Sequence, residues 1–483
     1  MDGGEDLEYI LNQENGFERH FEAISRIPHG SCNEEGVARY LERFAKEHHF
    51  WYHVDDLYNV IIKAPGTPGY ENSPSIIMQA HTDMVCVQEE GKNHDFTKDP
   101  LELMLDGRIL RANGTTLGAD DILGVATILA IMEDPHAEHP PIEGVFTAQE
   151  EIGMIGAAHL DYSLLSARRM IGMDCGGETL STVNSAGGVD VQVKVPGRRA
   201  DVSAPAWRLK IGGLKGGHSG VCIDMELGNA ICIAARLLNE LYVAGASCNI
   251  HSMKAGIVTN AIPNACEVMF CTSGDPEVIR EKAEKIIADF RESEPDMTVS
   301  VETAGIVERA FDDVSSKKLI RTLLVMPNGR ARKGFETPTF ITASDNIGIV
   351  ETYDDGFLLR MSVRGATEVK IDELLEKIGA VSEILDLNME IKGRYPCWEY
   401  NPKSRMRALA AELMEKEWNM PLEQEFVHGG VECGYFAGNL PGIDIFVIGP
   451  KADDVHTPYE YLDLDSAERV YQFLLKYLAL LKE

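Results

Sequence analysis

The sequence predicts an α/β protein in which a domain with a mainly parallel sheet is interrupted by an inserted α+β domain. Three observations predict it. Helices alternate with short apolar strands through the first third of the chain. Near Ala186-Gly187-Gly188 the pattern turns to strands of alternating polarity, and after Tyr395-Pro396 the first texture returns. Alternating helices and buried strands imply a parallel sheet covered on both faces. The reading therefore assigns residues 1–187 and 395–483 to one domain and residues 188–394 to the insert.

The elements follow in order. Ser31 and Glu34 read as a capping box ahead of Val37, Leu41 and Phe44, which recur at helical spacing. Asn59-Val60-Ile61-Ile62 and Ser75-Ile76-Ile77-Met78 read as buried strands, Asp121 to Met132 as an apolar helix, and Val145-Phe146-Thr147 and Met170-Ile171-Gly172-Met173 as further strands. In the insert, Val189 to Val195 alternates like a half-exposed strand, followed by strands at Trp207-Ile211 and Cys266-Cys271. One pattern occurs twice there. Glu267-Phe270 leads to a helix opened by Asp275-Pro276 and then to a strand at Met297-Val301. Phe357-Val363 leads likewise to a helix at Ile371-Ile384 and a strand at Met389-Ile391. After the insert come a helix from Ser404 to Trp418, a strand at Ile443-Ile448, and a last helix capped by Asp465 and Glu468, with Val470, Phe473, Leu474, Leu478 and Leu481 on one face.

Composition narrows the function. The 483 residues carry a formal net charge of −32, which repels nucleic acid and anionic membranes. No apolar run approaches the ~18–20 residues of a membrane span, and Met1-Asp2-Gly3-Gly4-Glu5-Asp6 lacks the marks of a secretory leader. The ten cysteines include no C-x-x-C pair and read as reduced thiols. Asn113-Gly114-Thr115 then matches a glycosylation acceptor by accident. The expected compartment is cytoplasmic.

Polar residues gather just past the strand ends. Ile76-Ala80 runs into His81-Thr82-Asp83, Val145-Gln149 into Glu150-Glu151, and Met170-Met173 into Asp174. Phe446-Pro450 is followed by His456, and Asp120-Asp121 stand before the apolar helix. In open α/β sheets the carboxyl ends of the strands gather at one crevice where ligands bind. Each residue alone has a structural reading, such as a helix cap for Asp120 or a solvated turn for Glu150-Glu151. Together they offer two histidines and several carboxylates, a donor set that suits zinc, cobalt or manganese.

With these segments the chain resembles the M20 metallopeptidases, in particular their aminoacyl-histidine dipeptidase branch. The resemblance rests on Gln79-Ala80-His81-Thr82-Asp83-Met84-Val85, Gly114 to Asp121, Thr147 to Met154, Met173-Asp174, Gly216-Gly217-His218-Ser219-Gly220, His428-Gly429-Gly430-Val431-Glu432-Cys433-Gly434 and His456, in family order. It implies a zinc-peptidase-like catalytic domain and an inserted lid and dimerisation domain. It implies two divalent metal ions, zinc first among the candidates, bridged by Asp120. One ion would be completed by His81 and Asp174, the other by Glu151 and His456. The Asp120-Asp121 peptide would be cis, Asp83 would hold the second ring nitrogen of His81, and Glu150 would be the general base.

The resemblance also assigns His218 to the oxyanion, delivered by domain closure or by a partner subunit of a homodimer. Arg364 would bind the substrate carboxylate, with Arg360 as the alternative and a solvated surface role open for either, and Asn260 would lie near the substrate backbone. Asn260 also reads as a turn before Pro263, and the roles of His428, counted with substrate binding, and of Glu432 are open. Ile122-Leu123 depart from the glycine expected soon after the acidic pair. The glycines around His218 lack the Lys-Ser/Thr pair of a phosphate loop. The function expected is hydrolysis of dipeptides, Xaa-His peptides such as carnosine among them. The alternatives are hydrolysis of tripeptides or N-acyl amino acids, and a metal-free binding protein.

Overall fold

The computed structural model describes residues 9–335, 337 and 340–482. Met1–Asp6, read above for the absence of a leader, lie outside them. The chain divides into two compact units. The first comprises the chain up to Asn184, Tyr400–Phe426 and the residues from Val431 onward; the second is Ser185–Glu399 with Val427–Gly430. The sequence reading set these divisions at 187/188 and 394/395.

In the first unit, helices α1 (Gly16–Ser25) and α2 (Glu35–Glu47) precede strands β1 (Trp51–Val54), β2 (Val60–Ala64) and β3 (Ile76–His81). Helix α3 (Ala119–Glu133), β4 (Ile142–Thr147) and β5 (Arg169–Gly172) follow. The sheet order is β1-β2-β4-β3-β5, with Asp444–Val447 at the far edge. Pairings of β3 with β4, β3 with β5 and β5 with Asp444–Val447 are parallel, whereas β1 and β2 add antiparallel strands at one edge. The expected mainly parallel sheet is present. Its β3 is buried along its whole length, as a strand covered on both faces must be. Phe17, Phe21, Leu41, the apolar α3 and the last helix, Leu464–Ala479, fill one core with it.

Two expected caps are replaced. Ser31 does not cap α2; its Oγ donates to Asp83 Oδ2 (2.7 Å), and the N-cap residue Glu34 makes no cap bond to the helix. Its Oε1 instead accepts from Cys32 N (2.9 Å) and Gln149 N (3.1 Å), so a turn beside the strand ends outcompetes the helix for it. The last helix is capped by Asp463, which accepts from Asp465 N and Ser466 N, rather than by the Asp465–Glu468 pair. The helix expected from Ser404 to Trp418 is present as Arg405–Trp418, with Ser404 as its N-cap accepting from Arg407 N.

The second unit carries β6 (Gly187–Pro196), β7 (Arg199–Gly212), α4 (Ala230–Val243), β8 (Cys248–Ala255), β9 (Cys266–Thr272), α5 (Glu277–Asp289) and β10 (Thr298–Phe311). Then come α6 (Asp313–Val325), β11 (Ile341–Tyr353), β12 (Gly356–Gly365), α7 (Glu368–Ile384) and β13 (Asn388–Tyr395). Its sheet runs β10-β7-β9-β8-β11-β12-β6-β13, with Gly329–Lys333 also paired to β11. The order is palindromic in topology. β7-α4-β8-β9-α5-β10 is one βαββαβ module of the ferredoxin-like kind, and β6-α6-β11-β12-α7-β13 is a second. The first module is nested in the second, between β6 and α6. The inner edges, β8 and β11, pair at Ala255 and Val350. The twice-occurring sequence pattern is thus the second half of each module. Asp275 Oδ1 accepts from Glu277 N (2.9 Å), the cap expected for α5.

None of the ten cysteines is bridged. Among the described residues no helix is long and apolar enough to cross a membrane.

Candidate metal centre

The carboxyl ends of β3, β4 and β5 bring His81, Glu150-Glu151 and Asp174 to one place in the first unit. The first turn of α3 adds Asp120, and the loop after Asp444–Val447 adds His456. Ligand-type atoms fall into three groups, each within 4.8 Å: His81, Asp120 and Asp174; Asp120, Glu151 and His456; and His81, Glu150 and Glu151. Asp120 belongs to the first two groups and so stands between them. His81 Nε2 lies 2.9 Å from Asp120 Oδ1, and His456 Nε2 lies 2.8 Å from Glu151 Oε1 and 3.6 Å from Asp120 Oδ2. The Asp120–Asp121 peptide is cis. His456 has φ of 63°, a left-handed conformation that is costly for a residue with a Cβ.

The electrostatics are those of a site short of positive charge. Burial raises Asp174 to about 7, helped by the charge of Asp120, and burial likewise raises Glu432 to about 7. Glu150 and Asp121 are pushed well above the carboxylate range by burial and by neighbouring carboxylates. The two imidazoles are raised as well: donating to the carboxylates of Asp120 and Glu151 raises His456 to about 10. Contact with Asp120 overcomes burial to raise His81. Asp120, despite burial, is held well below its ordinary value by those histidines. Nitrogen and carboxylate donors that retain protons only to offset one another fit a divalent cation, whose binding releases such protons.

Asp83 is fully buried, yet its carboxylate is not the main partner of His81. His81 Nδ1 lies 3.0 Å from the carbonyl oxygen of Asp83 and 3.6 Å from Oδ1. The carboxylate accepts instead from Glu150 N (2.9 Å) and Glu151 N (3.2 Å). It therefore holds the turn that presents Glu150 and Glu151. Glu432, in the first unit, accepts from Gln79 Nε2 and Thr147 Oγ1, both at 2.7 Å. Ile122-Leu123 stand where a glycine is expected; the next residue is Gly124, where a Cβ would lie 2.4 Å from Asp121 Oδ1 and 2.6 Å from Met173 Cβ.

His218, Asn260, Arg364 and His428 lie in the second unit. There Arg364, 5% exposed, donates to the Tyr395 hydroxyl (2.9 Å) and sits 3.3 Å from His218 Nε2. Its Nε has no partner, and among the described residues it forms no ion pair. Burial and the guanidinium lower His218 to about 4, and lower His428 to about 3. His428 Nε2 meets Ser344 Oγ at 2.8 Å. A Cβ at Gly220 would lie 2.5 Å from the His428 carbonyl oxygen, so the loop carrying His218 needs glycine there. The Asn260 side chain is exposed, while its carbonyl accepts from Ser219 N (2.7 Å). Arg360, the alternative to Arg364, pairs with Glu351 at 3.1 Å in a partly exposed ion pair.

The family pattern described as Peptidase family M20/M25/M40 matches residues 77–480. The chain is 31% identical over 470 residues, 96% of each chain, to the cytosol non-specific dipeptidase of Escherichia coli. The crystal structure of aminoacylhistidine dipeptidase from Vibrio alginolyticus superposes with a TM-score of 0.86 at 29% identity, covering 98% of this chain and 97% of that one. An aminopeptidase from Bacillus cereus shares the fold, with a TM-score of 0.57 at 15% identity over 98% of this chain and all (100%) of that one.

Proposed function

This chain belongs to the M20/M25/M40 peptidase family, and on that premise we propose that it is a metal-dependent dipeptidase using two divalent cations. The observation that carries the reading is the place of Asp120, whose Oδ1 lies 2.9 Å from His81 Nε2 and whose Oδ2 lies 3.6 Å from His456 Nε2, with Asp174 grouped on the first side and Glu151 on the second. The cations that these residues would hold supply Lewis-acid polarisation of the scissile carbonyl and acidify the attacking water. Zinc, cobalt and manganese all suit the donors.

Glu150 takes the proton of the attacking water and returns it to the leaving amine. Its burial among carboxylates raises its proton affinity, which suits an exchange of protons near neutral pH. Asp83 aims Glu150 through the two main-chain bonds. In the second unit, Arg364, with its open Nε, suits a substrate carboxylate, and neutral His218 suits a developing oxyanion. Asn260 and His428 are assigned to substrate binding on the same footing. Xaa-His dipeptides such as carnosine lead the substrate class, and the unbridged cysteines agree with a cytoplasmic compartment.

A homodimer is part of the proposal. Its candidate edges are β10 and β13, since β8 and β11 already pair with each other. Light scattering at working concentration decides it, and a monomer ends the idea. The activity test is hydrolysis of dipeptides, including β-Ala-His, after chelation and with zinc, cobalt or manganese restored. Loss on chelation and recovery with metal is expected. Equal or better turnover of tripeptides or N-acyl amino acids would overturn the dipeptide assignment.

A further inference from the structure

The segment that presents Asp120 lacks an internal cap. Gly118, the N-cap of α3, offers no side chain, and Asp120 and Asp121 depart from helical geometry. The N–H groups before Asp120 therefore need an outside acceptor, because buried unpaired donors are costly. They find one far along the chain. Glu460 Oε2 accepts from Leu117 N (2.7 Å) and Gly118 N (3.1 Å), and Oε1 from Ala119 N (2.8 Å). Glu460 is 2% exposed. It stands four residues after His456 in the same loop, where its own N–H donates to Thr457 O (3.2 Å).

Resting on the two-cation reading above, we propose that Glu460 is a positioning residue that holds the Asp120 segment and the His456 loop in register. It touches no ligand atom. One side chain ties the backbone before the bridging carboxylate to the loop that carries the histidine sharing a cation with it. The distance between those two ligands is set by a carboxylate clamped on three amides rather than by the ligands themselves.

The test compares full-length wild type with Glu460→Gln, which keeps the shape and one acceptor, and Glu460→Ala. Chelator-stripped protein is followed by amide hydrogen exchange at Leu117, Gly118 and Ala119. Zinc affinity is measured by competition with a chromophoric chelator, and kcat and KM at limiting and saturating zinc. Glu460→Ala should lose protection at the three amides and bind zinc about 10–100-fold more weakly, the usual cost of losing a group that orients ligands. Its kcat should recover at saturating zinc with KM unchanged, and Glu460→Gln should fall between. Protection and zinc affinity indistinguishable from wild type in both variants would overturn the proposal. If Glu460→Ala does not fold, the same two readouts on Glu460→Gln decide. Should wild type take up no divalent ion, the two-cation reading fails. The exchange result then decides alone: lost protection upholds the tie and retained protection refutes it.

Discussion

Replacing Asp83 by Asn keeps the side chain's shape and changes only what it can accept. The carboxylate receives three donors: Glu150 N on Oδ1, and Glu151 N and Ser31 Oγ on Oδ2. In the amide, one of the two positions becomes an NH₂. If that is the Oδ1 position, Glu150 N loses its acceptor; if it is the Oδ2 position, Ser31 can rotate to accept, but Glu151 N cannot. One buried main-chain N–H is orphaned either way, at about 1–3 kcal/mol. The bond that remains also loses its charge, and charge-assisted bonds are about twice as strong as neutral ones. The Glu150–Glu151 turn must shift to find water. A displacement of about 1 Å in a reacting group costs on the order of 10²-fold in rate. Asp83→Asn should therefore lower kcat by about that factor and weaken zinc binding by about 10–100-fold. His81 Nδ1 is held by the main-chain carbonyl of Asp83, which the substitution leaves in place. The damage should thus appear as faster amide exchange at Glu150 and Glu151. Wild-type turnover and unchanged exchange at those two amides would refute the reasoning.

Other substitutions separate the remaining roles. Glu150→Ala should retain zinc while kcat falls by about 10²–10⁴-fold, the span of general-base catalysis, and near-normal turnover would remove Glu150 from the reaction. His428 has its pKa lowered to about 3 by burial and then by the charges of Arg364, His218 and Lys370. The unfolded chain takes up that proton near pH 6.5 and the folded chain does not, so stability is full above about 6.5 and lost as pH falls below it. His428→Gln should flatten the acid limb of the unfolding profile; an identical limb would show that His428 does not set it. At Gly124, alanine gains about 1 kcal/mol of helix propensity but meets Asp121 and Met173 at 2.4 and 2.6 Å. Overpacking costs about 1–3 kcal/mol, so Gly124→Ala should lower the melting temperature, and a rise would mean the pocket relaxes freely.

Four of the proposed ligands were legible because each stands next to a locally recognisable element: His81, Glu151 and Asp174 follow apolar strands, and Asp120 opens an apolar helix. Glu460, Glu34 and the carboxylate role of Asp83 carried no such mark. Their partners include main-chain amides, which leave no trace in residue type; those of Glu460, and the Gln149 amide that Glu34 accepts from, lie more than a hundred residues away. The same limit explains the capping box that Ser31 and Glu34 do not form, since each is taken by a distant group. In the second unit, strand and helix periodicity was visible. The nesting of one module in another was not, because it resides in pairings such as β6 with β12 and β13. A signal for Glu460 does exist in hindsight: an acidic residue one turn of loop beyond His456 and just before the strand Tyr461–Asp463.

The two ends of the second unit's long segment, Ser185–Glu399, are clasped to each other. Ser185 N donates to Trp398 O (3.0 Å) and Trp398 N to Ser185 O (3.1 Å), and Gly188 is the register partner of Tyr395. To the rest of the polypeptide, everything between is a loop whose two ends sit about 5 Å apart, the spacing of paired strands. Loop length enters the closure entropy only logarithmically. A gene that gained or lost a whole module between those ends would ask nothing new of the flanking strands. A short linker joining Asn184 to Tyr400 would span the ends of the whole Ser185–Glu399 segment and leave only Val427–Gly430 of the second unit behind.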